Sequence, residues 1–136
     1  MAYSNDNGLT WTAVANTTFG DADVNIIIYD MERWFAGGYG QRVAWSVDGL
    51  TWRPLARPFF ILGMGFNGLR WISGGQEGRM AWSSDSGNNW NMDSGGRNLF
   101  TESWVHVVAF GRPPGGFGKW VAGGQHGKII YADEQF

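Results

Sequence analysis

An all-β fold built from a repeated antiparallel unit is predicted by three observations. First, a turn-like motif occurs three times: Ser4-Asn5-Asp6-Asn7-Gly8-Leu9-Thr10-Trp11, Ser46-Val47-Asp48-Gly49-Leu50-Thr51-Trp52, and Ser83-Ser84-Asp85-Ser86-Gly87-Asn88-Asn89-Trp90. Its tryptophans stand 41 and then 38 residues apart. Second, Arg33-Trp34-Phe35-Ala36-Gly37-Gly38, Arg70-Trp71-Ile72-Ser73-Gly74-Gly75 and Lys119-Trp120-Val121-Ala122-Gly123-Gly124 interleave with it; eight residues after each second glycine stand Ser46, Ser83 and Ala132. Third, short β-branched and aromatic runs recur, whereas no stretch holds a 3.6-residue apolar period.

Taken in order, residues 1–15 read as a half unit: a short strand at Met1-Ala2-Tyr3, the first turn, and a strand around Leu9-Thr10-Trp11-Thr12-Ala13-Val14. The unit at 23–55 opens with Val24–Tyr29, crosses back through the Gly-Gly strand, continues as Arg42-Val43-Ala44-Trp45 and ends on Leu50-Thr51-Trp52-Arg53. The unit at 59–93 opens with Phe59-Phe60-Ile61-Leu62. It turns at Asn67-Gly68, a strong hairpin signal because both residues tolerate positive φ. Arg79-Met80-Ala81-Trp82 is its third strand. The unit at 104–136 runs from Trp104–Phe110 through the longer turn Arg112–Gly118 to Lys128-Ile129-Ile130-Tyr131, where Ala132-Asp133-Glu134 has lost the turn motif. Essentially no helix is expected.

Four antiparallel strands in every 40 or so residues describe the blade of a β-propeller. The Ser-x-Asp-x-Gly-x-x-Trp turns resemble the Asp box, or bacterial neuraminidase repeat, of Asp-box propellers. The expected roles are physical: Ser4, Asp6, Ser46, Asp48, Ser83 and Asp85 bond amides of their own turns, Gly8, Gly49 and Gly87 take positive φ, and Trp11, Trp52 and Trp90 lie on fourth strands and fill gaps between blades. The chain then counts three blades plus an overlap, since Met1-Ala2-Tyr3 aligns with Ile129-Ile130-Tyr131. Three blades leave open edges, and closed rings need roughly four to eight. A homodimer closed to six blades is therefore expected, with the N-terminal strand of one chain completing the last blade of the other. The rival reading is a segment of a longer propeller.

Composition narrows the function. The net charge is −2 and charged residues make up 16%, which argues against nucleic-acid binding. With no cysteine among 136 residues, disulfide scaffolds, thiolate zinc sites and Cys nucleophiles are excluded. No apolar run reaches membrane-spanning length, so no membrane insertion is expected. No signal peptide is visible at the start; the localisation stays open, with an extracellular, virion or cell-surface place the nearer expectation.

The Asp-box resemblance brings sialidases to mind, whose activity rests on an arginine triad, a Tyr/Glu pair and an acidic Asp. Here Arg33, Arg42, Arg70 and Arg79 sit at equivalent repeat positions and read as structure, so no enzyme activity and no cofactor are expected. Gly63-Met64-Gly65-Phe66-Asn67-Gly68 matches a dinucleotide fingerprint by spelling but opens no helix. His106 and His126 lack neighbours at metal-ligand spacing, and no metal site is expected at Asp6, Asp48 or Asp85. What remains is a recognition module, lectin-like in character, for a glycan or protein on the face of the second-to-third-strand loops. Its candidate ligand-binding residues are Tyr39, Gln76, Glu77, Gln125 and His126 on those loops, where the repeat varies while its frame does not, with Arg57, Arg97 and Glu102 added by the connections from fourth to first strands. The alternative is a structural component of a surface layer, fibre or virion.

Overall fold

Strands that alternate small or aromatic residues on both faces cannot leave either face in water, and the chain answers by stacking sheet against sheet. The computed structural model describes residues 1–30, 32–55 and 61–134. It has four antiparallel sheets, taken up in sequence order. The first pairs β1 (Ala2–Tyr3) with β2 (Thr12–Ala13). The second runs β3 (Val24–Tyr29), β4 (Trp34–Gly38), β5 (Arg42–Ser46), β6 (Arg53–Pro54), and the third β7 (Ile61–Phe66), β8 (Trp71–Gly75), β9 (Met80–Ser83), β10 (Asn91–Asp93). The fourth has three strands, β11 (Val105–Gly111), β12 (Lys119–Gly124) and β13 (Ile129–Asp133).

The sheets pack through their first two strands: β3 and β4 against β7, then β7 and β8 against β11. Three apolar cores lie between them. Phe19, Ala36, Ala44 and Trp52 fill the space between the first and second sheets. Phe35, Val43, Ile61, Met64, Trp71 and Ala81 fill the next, and Met80, Phe100, Val105, Val108, Trp120 and Ala122 the last. Trp71 sits at the centre, its ring centroid 4.4 Å from Phe35 and 4.7 Å from Phe66. Burying a side chain of this size contributes about 2–3 kcal/mol.

The Gly-Gly pair makes this spacing possible. A Cβ on Gly74 would run into the Val105 side chain of the fourth sheet, and one on Gly37 would lie 3.0 Å from Ile61 of the third. The second glycine serves the sheet's own first strand, which bulges after its opening pair in all three copies. There the amides of Tyr39 and Gln125 donate to the carbonyls of Asp23 and Trp104, in the space a Cβ on Gly38 or Gly124 would fill.

Three expectations need correction. Among the described residues there is one α-helix, α1 (Ser94–Phe100). Its two glycines give no helical signal; the Asp93 carboxylate accepts the Gly95 amide at its start, and buried Phe100 anchors its end. The fourth strands start later than the motif tryptophans, because Trp11, Trp52 and Trp90 close the turns before β2, β6 and β10. At the Asn67-Gly68 hairpin only Gly68 takes positive φ; Asn67 instead accepts the Leu69 and Arg70 amides.

The two ends differ from the middle. In the second sheet Phe35 and Val43 are 0% and 3% exposed, covered by the third sheet. Their counterparts in the fourth sheet, Val121 and Ile129, are 40% and 73% exposed, and Tyr131, the counterpart of Trp45, is 69% exposed. At the other end the first sheet has no inner strands, and Ile27, Tyr29 and Trp34 of the second sheet are exposed beside that gap.

If the glycines set the distance between sheets, Gly74→Ala forces Val105 to move and lowers stability by about 1–3 kcal/mol, read as a reduced urea midpoint at unchanged slope. A midpoint equal to that of the unaltered protein would contradict the spacing argument.

Candidate functional site

The three Ser–Asp turns share one hydrogen-bond design. Ser4 Oγ donates to Asp6 Oδ1 at 2.7 Å and accepts the Gly8 amide at 2.9 Å; Asp6 accepts the Thr10 amide at 2.9 Å and its hydroxyl at 2.5 Å. Ser83, Asp85, Gly87 and Asn89 repeat the pattern, with Asn89 Nδ2 donating to Asp85 Oδ2 at 2.6 Å. The turn shortened by one residue keeps it: Ser46 Oγ accepts the Gly49 amide, and Asp48 Oδ1 takes both the Leu50 and Thr51 amides. Gly8, Gly49 and Gly87 have φ of 84°, 73° and 78°. Each indole N–H donates to the glycine carbonyl, at 3.1, 3.1 and 2.9 Å.

Donors aimed at the ionised carboxylates favour that form. The Thr10 hydroxyl and amide hold Asp6 at about 2, and the Asn89 amide and side chain hold Asp85 at about 2, against an ordinary 3.8. The Thr51 and Leu50 amides push Asp48 lower still. These oxygens are engaged with their own turns, and among the described residues no group of three or more His, Asp or Glu is set to hold a metal.

Five of the eight candidate ligand-binding residues lie at the opposite ends of the strands, on three single-turn 3-10 segments: Tyr39–Gln41, Gln76–Gly78 and Gln125–Gly127. The middle residue of each is left-handed: Gly40 at φ 67°, Glu77 at 57° and His126 at 60°. Glu77 pairs with Arg79 at 2.8 Å. Gln125 Oε1 accepts the Trp104 amide at 3.0 Å, and His126 Nδ1 lies 3.2 Å from Ser103 Oγ. Glu102 is exposed in the turn between Phe100 and Ser103, so Glu102, Gln125 and His126 share one end of the fourth sheet. The segment holding Glu77 packs against α1, which contains Arg97; the Arg97 side chain and all of Arg57 lie outside the described residues. Tyr39 and Gln76 occupy the equivalent ends of the second and third sheets.

Two features escaped the sequence reading. The basic residue after two of the three 3-10 segments ties down the chain leading into the sheet: Arg42 donates to the Phe19 carbonyl, and Lys128 Nζ to the Phe100 carbonyl at 2.9 Å. Phe19, in a loop, and Phe100, at the end of α1, are both buried, each five positions before the first strand's opening valine, and that shared spacing was the available signal. The second is a groove of about 380 Å³ between the third and fourth sheets, lined by Arg70, Met80, Trp82, Trp120, Tyr131 and Ala132 among others. Trp52 closes onto the core between the first and second sheets, and Trp90 onto the next; among the described residues no motif tryptophan closes onto the last. Trp11 itself is 65% exposed.

No protein-family model matches the chain, and no curated protein matches it. Among solved structures, the crystal structure of the computationally designed Ika4 protein is similar, with a TM-score of 0.62 and 15% identity over 83% of this chain and 67% of that one. At that identity the likeness concerns the fold alone.

The Ser–Asp turns give stability a defined acid limb. Because the folded carboxyls titrate below 3.8, their contribution is full above that pH and lost as pH falls towards about 2. Urea midpoints measured from pH 5 to pH 2 should fall across this window. Asp48→Asn should lower the midpoint at pH 5 and flatten the fall; an unchanged pH profile would show that the Asp48 charge is not holding its turn.

Proposed function

We propose that the chain is a non-catalytic Asp-box β-propeller module, that two copies close into a six-bladed ring, and that the ring recognises a glycan or a protein on the face of the 3-10 segments. The observation that carries this reading is the pair of unmatched ends. Val107, Val121, Ile129 and Tyr131 leave the fourth sheet with an apolar face, while Ile27, Tyr29 and Trp34 flank the gap where the first sheet lacks inner strands. Exposed apolar patches of this kind mark association surfaces. A two-fold operation sets each end against the other, so both are covered at once.

Recognition on the 3-10 face is supported by backbone strain. A non-glycine residue in the left-handed region costs about 1–2 kcal/mol, and the first copy avoids it with Gly40. Glu77 and His126 accept that cost in the other two copies while pointing to no fold-wide contact beyond Arg79 and Ser103. Left-handed non-glycine residues cluster at ligand clamps and active sites. The arginines that glycosidase chemistry would gather are engaged elsewhere: Arg33 lies 5.1 Å over Trp45, Arg70 lies 4.5 Å over Trp82, and Arg112 pairs with Glu134 at 2.6 Å.

A second reading, an assembly component of a larger surface, fibre or virion, is favoured by Leu9, Leu50, Leu69 and Phe117. All four are exposed on connections at the other end of the strands, where rings could stack.

Light scattering behind a sizing column should give twice 15.1 kDa. A monomer at every concentration would overturn ring closure, and larger regular assemblies would favour the second reading. On a glycan or protein array, Glu77→Gly and His126→Gly should lose binding while keeping or raising the melting temperature. Binding that survives both changes would move recognition away from this face.

A further inference from the structure

Resting on the ring reading, we propose that Trp11 of each chain is the missing plug of its partner's groove between the third and fourth sheets, and that β13 of the partner displaces β1 to put it there. The repeat supplies the precedent inside the chain. Each motif tryptophan seats in the core between its own sheet and the preceding one: Trp52 against Phe19, Ala36 and Ala44, and Trp90 against the cluster of Phe35 and Val43. Trp11 belongs to the first sheet, which has no preceding neighbour, and its side chain is exposed although its turn is built like the others. The groove of about 380 Å³ is the equivalent seat between the third and fourth sheets, and among the described residues no motif tryptophan lines it.

The backbone allows the exchange. β2 pairs with β1 as Ala2 opposite Ala13 and Tyr3 opposite Thr12, the register in which β6 pairs with β5 through Ala44 and Pro54, Trp45 and Arg53. Ile130 and Tyr131 stand in the fourth sheet where Ala2 and Tyr3 stand in the first, and no strand among the described residues pairs with the outer edge of β13. Placing β2 of a second copy on that edge turns Trp11 towards Trp82, Trp120 and Ala132. The new contact continues the sheet-to-sheet interfaces already present. It also removes the redundancy of β1 and β13, since only one of the two can flank β2.

The test is a dilution series of the full-length chain by sedimentation velocity, with Trp11→Ala removing the plug and Ala132→Trp filling the groove from within. Both positions are exposed, so neither change touches a core. Each variant alone should dissociate at concentrations at least about thirtyfold higher than the unaltered dimer. An equimolar mixture should reform dimers, because one chain brings an intact groove and the other an intact plug, and the remaining contact holds a filled groove facing an alanine. If either variant keeps the unaltered dissociation constant, or the mixture stays monomeric, the plug assignment fails while the ring stands. If the unaltered chain never dimerises, the ring reading fails with it.

Discussion

Everything in this molecule depends on a sheet needing a neighbour on each face. β4 shows why: Phe35 points one way into the core shared with the third sheet, and Ala36 the other way into the core shared with the first. No single sheet buries both, so stability lies between sheets more than within them. Glycine sets the distance at which they meet. Gly37 lets β4 approach Ile61, and Gly74 lets β8 approach Val105. The aromatic content is the other half of the same requirement, because a wide wedge between twisted sheets needs side chains as large as Trp71 and Trp120.

The Ser–Asp turns solve a separate problem. A connection between short outer strands exposes amides to water, and the strands themselves are too short to hold it. Ser and Asp side chains supply acceptors inside the turn, and the indole N–H ties the strand's entrance to the glycine carbonyl. The arrangement survives deletion of a residue at Asp48-Gly49 because Asp48 Oδ1 takes two successive amides instead of one amide and one side chain. Where Ala132 replaces the serine, the acidic residues serve different partners: Asp133 pairs with Lys119, and Glu134 with Arg112 and Asn67.

Much of this was legible in the sequence, because a repeat reports equivalence directly. The three Gly-Gly strands, the order of strands within each unit, and the positive φ of Gly8, Gly49 and Gly87 follow from spacing and turn chemistry. What stayed hidden is tertiary. Helix α1 has no local signature, since Ser94-Gly95-Gly96 opposes helix formation and Phe100 is held from outside by Lys128. The stacking of Arg33, Arg70 and Lys119 over Trp45, Trp82 and Tyr131 crosses between neighbouring strands on a diagonal, which spacing alone does not fix. The candidate binding residues come from two types of connection, and the groove between the third and fourth sheets is lined by none of them.

The position of the cores between sheets has a further consequence for how the chain opens. Each sheet behaves as one site in a linear array whose energy is carried by nearest-neighbour junctions, so cooperativity is strongest where two junctions meet. Those places are the second sheet, held through Ala36 on one side and Phe35 on the other, and the third, gripped through Trp71 on one side and Met80 on the other. The first and fourth sheets are each held by a single junction and are the first to fray. Amide protons in β8 should therefore exchange at the cost of global unfolding, while those of β2 and β13 exchange through local opening. The least protected segments are thus the two ends of the array, where another chain could be admitted without disturbing its middle.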